Sequence, residues 1–470
     1  MTRPATAAPT RKPILLAVGA AGLVLGLVVA RVPLAGIALV IAGIGAAVVL
    51  TRPDLVLLAM IAALPWENML HYPSAQLSTV KGIGAAVFLA YAVKLFGDRK
   101  AVVRMPLLLA IVTGLGLWVG MTMALSTDPG AGMHKLIRWA LFLAFFFLVV
   151  QLVDGRPQID RVLRVFALSV GAAGAYTLYL FVGGEHGYRA AGPLEDPNDL
   201  AYLIGCTLPI MAYLFKAEPH RRLLWGACFV LGTGAMLSTF SRGALVGVGA
   251  LLVWGIVTRR IPFRAILAGV LTGLVLVALA FTVWKPFFDE ALHQKEHIAD
   301  HNIESRESRW AAAAQLGSES PVFGIGTGLY PVKSLPILRD DTGYLPEVTV
   351  PQTVAHNTYL EIFAENGLPG LALFVAYLVV AWLLLRKSRR MAISVGDERA
   401  GWLITALQSS LVIAIVAGTF LSEELTSPYW LLGALAAVLA QSFETAPATE
   451  VAATRRLPYV PPALPVRTPA

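Results

Sequence analysis

The sequence predicts an all-α polytopic integral membrane protein, with about twelve to fourteen transmembrane helices and one large outer loop between two late helices. Three observations lead there. The 470 residues are 57% hydrophobic and only 14% charged, with mean hydropathy +0.70, whereas a soluble domain is nearer half apolar and about a quarter charged. The apolar residues form long continuous runs, not the short alternating segments of a membrane β-barrel. The basic residues fall between those runs, concentrated in alternate connections. This composition excludes a soluble enzyme, a disordered protein and a disulfide scaffold.

The apolar runs fall near 13–30, 32–50, 53–66, 78–96, 105–125, 134–153, 162–183, 199–215, 222–240, 243–258, 262–284, 357–385, 402–421 and 428–443. The third is short, and the second and third also fit re-entrant or tilted segments, which sets the range. The first is followed by Ala30-Arg31-Val32, no clean cleavage site, and reads as a retained span. If the N-terminus is cytoplasmic, the inner segments collect Arg99, Lys100 and Arg104, then Arg259, Arg260 and Arg264, then Arg386, Lys387, Arg389 and Arg390, among others. That is a strong positive-inside pattern, and it puts both termini in the cytoplasm.

The chain divides into N-terminal membrane helices (1–285), a large extracytoplasmic loop (286–355), C-terminal membrane helices (356–444) and a Pro-rich tail (445–470) that reads as disordered and cytoplasmic. The loop has a helical stretch from Glu304 to Leu316. The net charge of +8 is accounted for by topology, so nucleic acid is not an expected partner. Cys206 and Cys228 lie inside apolar runs and read as small buried hydrophobes. No Cys-x-x-Cys accompanies the eight histidines, so no structural zinc is expected.

Charges at membrane boundaries are costly and tend to mark function. The first group is Arg189, followed by Glu195-Asp196-Pro197-Asn198-Asp199, which alone also fits an ordinary capped loop. The second is Ser241-Arg242-Gly243, in the tight outer connection between two spans. Arg242 fits either snorkelling or anion binding, since a guanidinium matches phosphate oxygens bidentately. The third is Glu304-Ser305-Arg306-Glu307-Ser308-Arg309-Trp310. Arg306 and Arg309 share a helix face there, as they also would on a merely solvated helix. The fourth is His356-Asn357, where the loop re-enters the membrane, followed by Glu365-Asn366-Gly367-Leu368-Pro369-Gly370. An imidazole with its usual pKa near ~6.5 suits a general base.

Other features read as less informative. His293, His297 and His301 share a helical face but lack a matching carboxylate motif. Gly324-Ile325-Gly326-Thr327-Gly328 fits neither phosphate-binding fingerprint and reads as a tight turn. Lys81, Lys94, Lys135 and Arg138 read as snorkelling or headgroup contacts, and Glu423 and Glu424 as solvated on the last outer turn.

The ordered set Arg189-x-x-Gly192 with Pro197-Asn198, Ser241-Arg242-Gly243, Arg309-Trp310, Pro321-x-Phe323-Gly324-x-Gly326, His356-Asn357 and Gly367-x-x-Gly370 resembles the O-antigen ligase and Wzy-type polymerase superfamily of bacterial membrane glycosyltransferases. The resemblance covers about 185–375. Leu371 stands where ligases often carry threonine, which bears on the subtype. The resemblance implies a GT-C-like helical fold in the inner membrane. It implies transfer of a glycan from undecaprenyl diphosphate to an acceptor hydroxyl, on a glycan or on lipid A-core, without metal, nucleotide or other cofactor. It further implies that Arg189, Arg242 and one of Arg306 and Arg309 bind the diphosphate, and that His356 acts as base. Arg309 is preferred because Trp310 follows it. A polymerase or a protein O-glycosyltransferase shares these motifs. A transporter or flippase is the main alternative of another class, but its polar residues would gather near the bilayer midplane in repeated halves. A non-catalytic assembly scaffold is the third.

Overall fold

The computed structural model describes residues 50–69, 78–97, 103–183, 189–283, 306–342 and 354–444. The first apolar run, nearly all of the second, the 293–301 histidines and the Pro-rich tail lie outside them. The protein is a polytopic helical membrane protein, and each of the twelve apolar runs within the described residues coincides with a helix. These helices are α1 (Pro53–Ala63), α2 (Thr79–Gly97), α3 (Leu107–Ala124), α4 (Pro129–Leu152), α5 (Gly155–Gly183), α6 (Pro197–Ala217), α7 (Arg222–Ser238), α8 (Arg242–Thr258) and α9 (Phe263–Val283). Two shorter helices follow, α10 (306–319) and α11 (Tyr330–Thr342), and then α12 (Thr358–Ser394), α13 (Glu398–Ala417) and α14 (Ser427–Glu444). Seven of the described helices are long and apolar enough to cross a membrane.

Several helices begin before their apolar runs, because capping chemistry and not hydropathy sets a helix start. Asp128 accepts a hydrogen bond from the Ala131 amide, with Pro129 at the first helical position, so α4 starts ahead of the run at 134–153. Asp196 caps α6 through the Asn198 and Asp199 amides, and Asn357 caps α12 through Tyr359 and Leu360, both at 3.0 Å.

The core is built round α14, whose residues from Ser427 to Ala440 are all buried. Trp430 meets Trp139 of α4 edge-on and stacks on Tyr377 of α12, while Tyr429 packs against Tyr202 of α6 and Phe374 of α12. The Tyr377 hydroxyl donates to the Tyr429 carbonyl (2.6 Å), and the Tyr429 hydroxyl to the Ala414 carbonyl of α13 (2.8 Å). Buried tyrosines need such partners. The helices that expose large apolar side chains, such as α8 and α9 with Val253, Val257, Leu271 and Leu274, form the rim that faces lipid.

The two ends of the bundle differ. At one end lie the ion pairs Arg104–Asp154 (3.1 Å), Arg399–Asp160 (2.7 Å) and Arg164–Glu218 (2.8 Å), together with Arg156–Asp397. At the opposite end the segments 189–196, 239–241, 306–342, 354–357 and 418–426 meet. Alternate counting of spans assigns these same connections to a single face.

One run hides a break. Within α12, Gly367 has φ 65° and ψ −172°, a backbone region essentially confined to glycine. The break frees backbone groups that would cost several kcal/mol each in hydrocarbon without partners. The segment between α10 and α11 supplies those partners. Ile325 and Gly326 donate their amides to the carbonyls of Ala364 (2.8 Å) and Glu365 (3.0 Å), and the Leu368 amide donates to the Pro321 carbonyl (2.8 Å). The Trp118 indole donates to the Asn366 carbonyl at 2.8 Å. The glycine-rich stretch is therefore a close-packed turn, as its sequence suggests. A Cβ on Gly324 would stand 2.4 Å from the Glu365 carbonyl carbon, and one on Gly367 2.2 Å from the Val322 oxygen. Gly367→Ala is expected to destabilise the protein by about 1–3 kcal/mol from backbone strain alone. Thermal unfolding of the purified protein in detergent checks this, and an unchanged midpoint would contradict the role given to the break.

Candidate functional site

The site forms where four stretches of chain converge. The first two are joined backbone to backbone. The Ala190 amide donates to the Ser238 carbonyl (3.1 Å), and the Arg189 guanidinium donates to the Thr239 carbonyl (2.8 Å) and to Asn198 Oδ1 (2.8 Å). The same Asn198 oxygen accepts from the Ser241 hydroxyl at 3.0 Å. One asparagine thus ties the Arg189 segment to the Ser241-Arg242 turn and fixes the Arg189 side chain. Arg242, the first residue of α8, is exposed.

The third stretch is α10, in which Arg306 and Arg309 are both half-buried. Ala313 and Leu316 of this helix pack with Tyr330, Ala355 and Ala364 in a small separate core. That core seats α10 on the first turns of α12. The Tyr330 hydroxyl donates to the Arg309 carbonyl at 2.8 Å.

The fourth stretch holds His356 in the left-handed region, at φ 53°. Such a conformation is uncommon for histidine and persists only when its surroundings over-determine it. Here Trp310 Nε1 donates to the His356 carbonyl (3.3 Å), Glu361 accepts from the Ala355 amide (3.0 Å), and Asn357 caps the helix that follows. Glu195 and Phe240, in the two other loops of the site, also have positive φ, at 63° and 52°.

The sequence-derived residues are brought together electrostatically. Burial lowers the Arg306 pKa, and the neighbouring Arg189, Arg242 and Arg309 lower it further. Burial likewise lowers that of Arg309. His356 is pushed down to about 3, first by burial and then by Arg309, Arg306 and Arg189, against an opposing pull from Glu361. The imidazole is therefore neutral at physiological pH. Among the described residues no ion pair includes Arg242, Arg306 or Arg309. Like charges gathered this closely attract a multivalent anion.

Two expectations are overturned. Glu423 and Glu424 are not solvated: they are 1% and 3% exposed, and burial raises the pKa of both, that of Glu424 to about 7. Lys135 does not snorkel to a headgroup. Its ammonium lies between Glu361 (2.5 Å), Glu365 (2.8 Å) and Glu424 (3.0 Å). Each expectation followed from position near a span end, and the convergence of α4, α12 and the α13–α14 turn overrides it. The spacing of Glu361 and Glu365 was the available signal, since residues four apart share a helix face and buried carboxylates demand a partner.

Residues 227–375 match the family described as O-antigen ligase. The matched stretch contains Arg242, Arg306, Arg309 and His356, while Arg189 precedes it. No curated protein matches the chain.

The arginine cluster yields a test that needs no reaction. Inorganic pyrophosphate at about 100 times its dissociation constant should raise the stability by about 2.7 kcal/mol. Arg306→Ala together with Arg309→Ala should remove most of the shift, and an equal shift in that variant would contradict anion binding at the cluster.

Proposed function

We propose that this chain, a member of the O-antigen ligase superfamily through its residues 227–375, transfers a glycan from undecaprenyl diphosphate to an acceptor hydroxyl. The reaction takes place at the outer face of the bacterial inner membrane, with both termini in the cytoplasm. The observation that carries this reading is the meeting of Arg189, Arg242, Arg306 and Arg309 with a neutral His356 at one end of a helical bundle. The ends of membrane helices suit a donor whose lipid stays in the bilayer while its diphosphate stands at the boundary.

The chemistry follows from the charges. The acceptor oxygen attacks C1 of the donor sugar, and its proton passes to His356. The bond between C1 and the diphosphate oxygen breaks, and its electron pair leaves with the diphosphate. Negative charge grows on the bridging oxygen, and guanidinium groups already gathered round it, Arg306 and Arg309 half-buried among them, stabilise it more in the transition state than in the ground state. The diphosphate leaves without a general acid. A hydroxyl is a weak nucleophile, for which a positioned base contributes about 10²–10⁴-fold. One displacement inverts C1. In this reading the guanidinium groups supply the positive charge, and no metal ion or other cofactor takes part.

The acceptor separates the two subtypes. A lipid A-core acceptor makes the protein a ligase, the first reading; a second lipid-linked glycan makes it a Wzy-type polymerase, the alternative on which Leu371, a departure from the ligase pattern, bears. A transporter is the weaker reading, because the clustered charges sit at one end of the bundle and not at its middle. A deletion strain tests all of these. Long polymer on the lipid carrier with bare acceptor indicates a ligase, acceptor bearing a single repeat unit indicates a polymerase, and glycan trapped inside the cell overturns the transferase reading.

His356→Ala should lower transfer by about 10²–10⁴-fold with normal membrane insertion. Arg242→Lys should lose about 10²-fold in kcat, since an ammonium cannot make the forked contact; full activity in either variant would remove that residue from the proposed mechanism. The pH profile gives a further check. Because the His356 pKa stands at about 3, kcat/KM should show no imidazole limb at ~6.5. Bound diphosphate offsets the arginine charge and favours protonated imidazole, so the acid limb of kcat should lie at higher pH than that of kcat/KM. Coincident limbs would contradict an anion bound beside His356.

A further inference from the structure

The mechanism makes no use of Lys135, yet this buried ammonium is the junction of two hydrogen-bonded arms that end at different parts of the site. We propose that Lys135, Glu361, Glu365 and Tyr330 are positioning residues that set the proposed base and one arginine of the proposed clamp in register with each other. The inference rests on the transferase reading of the same site.

The first arm runs to the histidine. Glu361 Oε1 faces Lys135 at 2.5 Å. Its other oxygen accepts from the Ala355 amide at 3.0 Å and from the Ser422 hydroxyl at 2.5 Å. The Val354–Ala355 peptide, one residue before His356, is therefore held by a carboxylate that cannot swing away, since Lys135 and Ser422 fix both of its oxygens. With Trp310 bonded to the carbonyl on the far side of His356, the left-handed backbone at φ 53° is gripped from both ends.

The second arm runs to the arginine. Glu365 Oε2 faces Lys135 at 2.8 Å, and its Oε1 accepts from the Tyr330 amide at 3.3 Å. The Tyr330 hydroxyl donates to the Arg309 carbonyl at 2.8 Å. The two glutamates stand four residues apart on the first turns of α12, so one helix face carries both arms. Glu424 completes the shell at 3.0 Å and brings in the α13–α14 turn. The side chains of Lys135, Glu361, Glu365 and Glu424 are 17%, 3%, 1% and 4% exposed, which keeps bulk water from loosening the junction. Reacting groups held in this way must keep their geometry closely, because a displacement of ~1 Å costs about 10²-fold in rate.

The two arms predict separable kinetics. The assay uses purified full-length protein, lipid-linked glycan extracted from a deletion strain as donor, and membranes of that strain as acceptor. Glu361→Gln should lower kcat by about 10- to 100-fold with donor KM unchanged, because it disturbs the base alone. Tyr330→Phe should raise donor KM about fivefold, the equivalent of one hydrogen bond, and lower kcat by less than Glu361→Gln does. Lys135→Met should show both effects. Should Glu361→Gln fail to fold, Ser422→Ala probes the same arm with a smaller drop in kcat. Wild-type kcat in the first arm's variant and wild-type KM in Tyr330→Phe, alongside an inactive His356→Ala, would overturn the positioning role and leave the transferase reading intact. Reduced yield of folded protein with normal kcat and KM would overturn it too. Normal transfer by His356→Ala would instead remove the base assignment on which the inference stands.

Discussion

The end of the bundle that carries the site depends on one buried ammonium. Lys135 lies two turns into α4, a position fixed by the Asp128 cap and Pro129. Glu361 and Glu365 come from α12, and Glu424 from the turn before α14. None of these groups could be buried alone, and removal of one partner from a buried ion pair costs about 3–5 kcal/mol. Their mutual need fixes the relative height of α4, α12 and the α13–α14 turn. The loops then inherit that geometry: Thr358 bonds to the carbonyls of Gly418 and Leu421, and Arg138 to the carbonyl of Leu425.

Strain is spread round the same place. Glu195, Phe240 and His356 are three non-glycine residues with left-handed backbones, and each belongs to a loop that reaches the arginine cluster. Such residues cost about 1–3 kcal/mol each and persist where neighbouring contacts outweigh the loss. The neighbouring contacts are visible in each case: the Asp196 cap follows Glu195, Thr239 accepts from Arg189 beside Phe240, and Trp310 and Glu361 flank His356.

Hydropathy made the helices legible, because lipid imposes the same demand on every span. It did not reveal where they start. The polar first turns of α4 and α6 are set by Asp128 and Asp196, which hydropathy counts as loop. It also ran straight through Gly367, whose break is invisible as an apolar average. Arg189, Arg242, Arg306, Arg309 and His356 were legible as motifs, since each is a charged or titratable group at a boundary where such groups are rare. The residues that hold them were not. Lys135 resembles any lysine near a span end until its three carboxylates, far off in sequence, are in place. Asn198 reads as a helix cap in sequence, and its bonds to Arg189 and Ser241 exist only in the assembled fold.

The segment that bridges the break in α12 has a consequence for how the protein is made. Residues 321–326 leave the ribosome before α12, yet their hydrogen-bond partners are Ala364, Glu365 and Leu368. The first turn of α12 in turn binds carbonyls at Gly418 and Leu421, and Lys135 waits for Glu424. The half of the site synthesised first therefore cannot reach its final shape until the last two helices have entered the bilayer. A nascent chain stalled before α13 carries every arginine of the cluster and the histidine, but lacks the backbone and carboxylate that hold them in register. Assembly of the site is thereby tied to completion of synthesis, so that partly translated chains in the membrane lack the finished site.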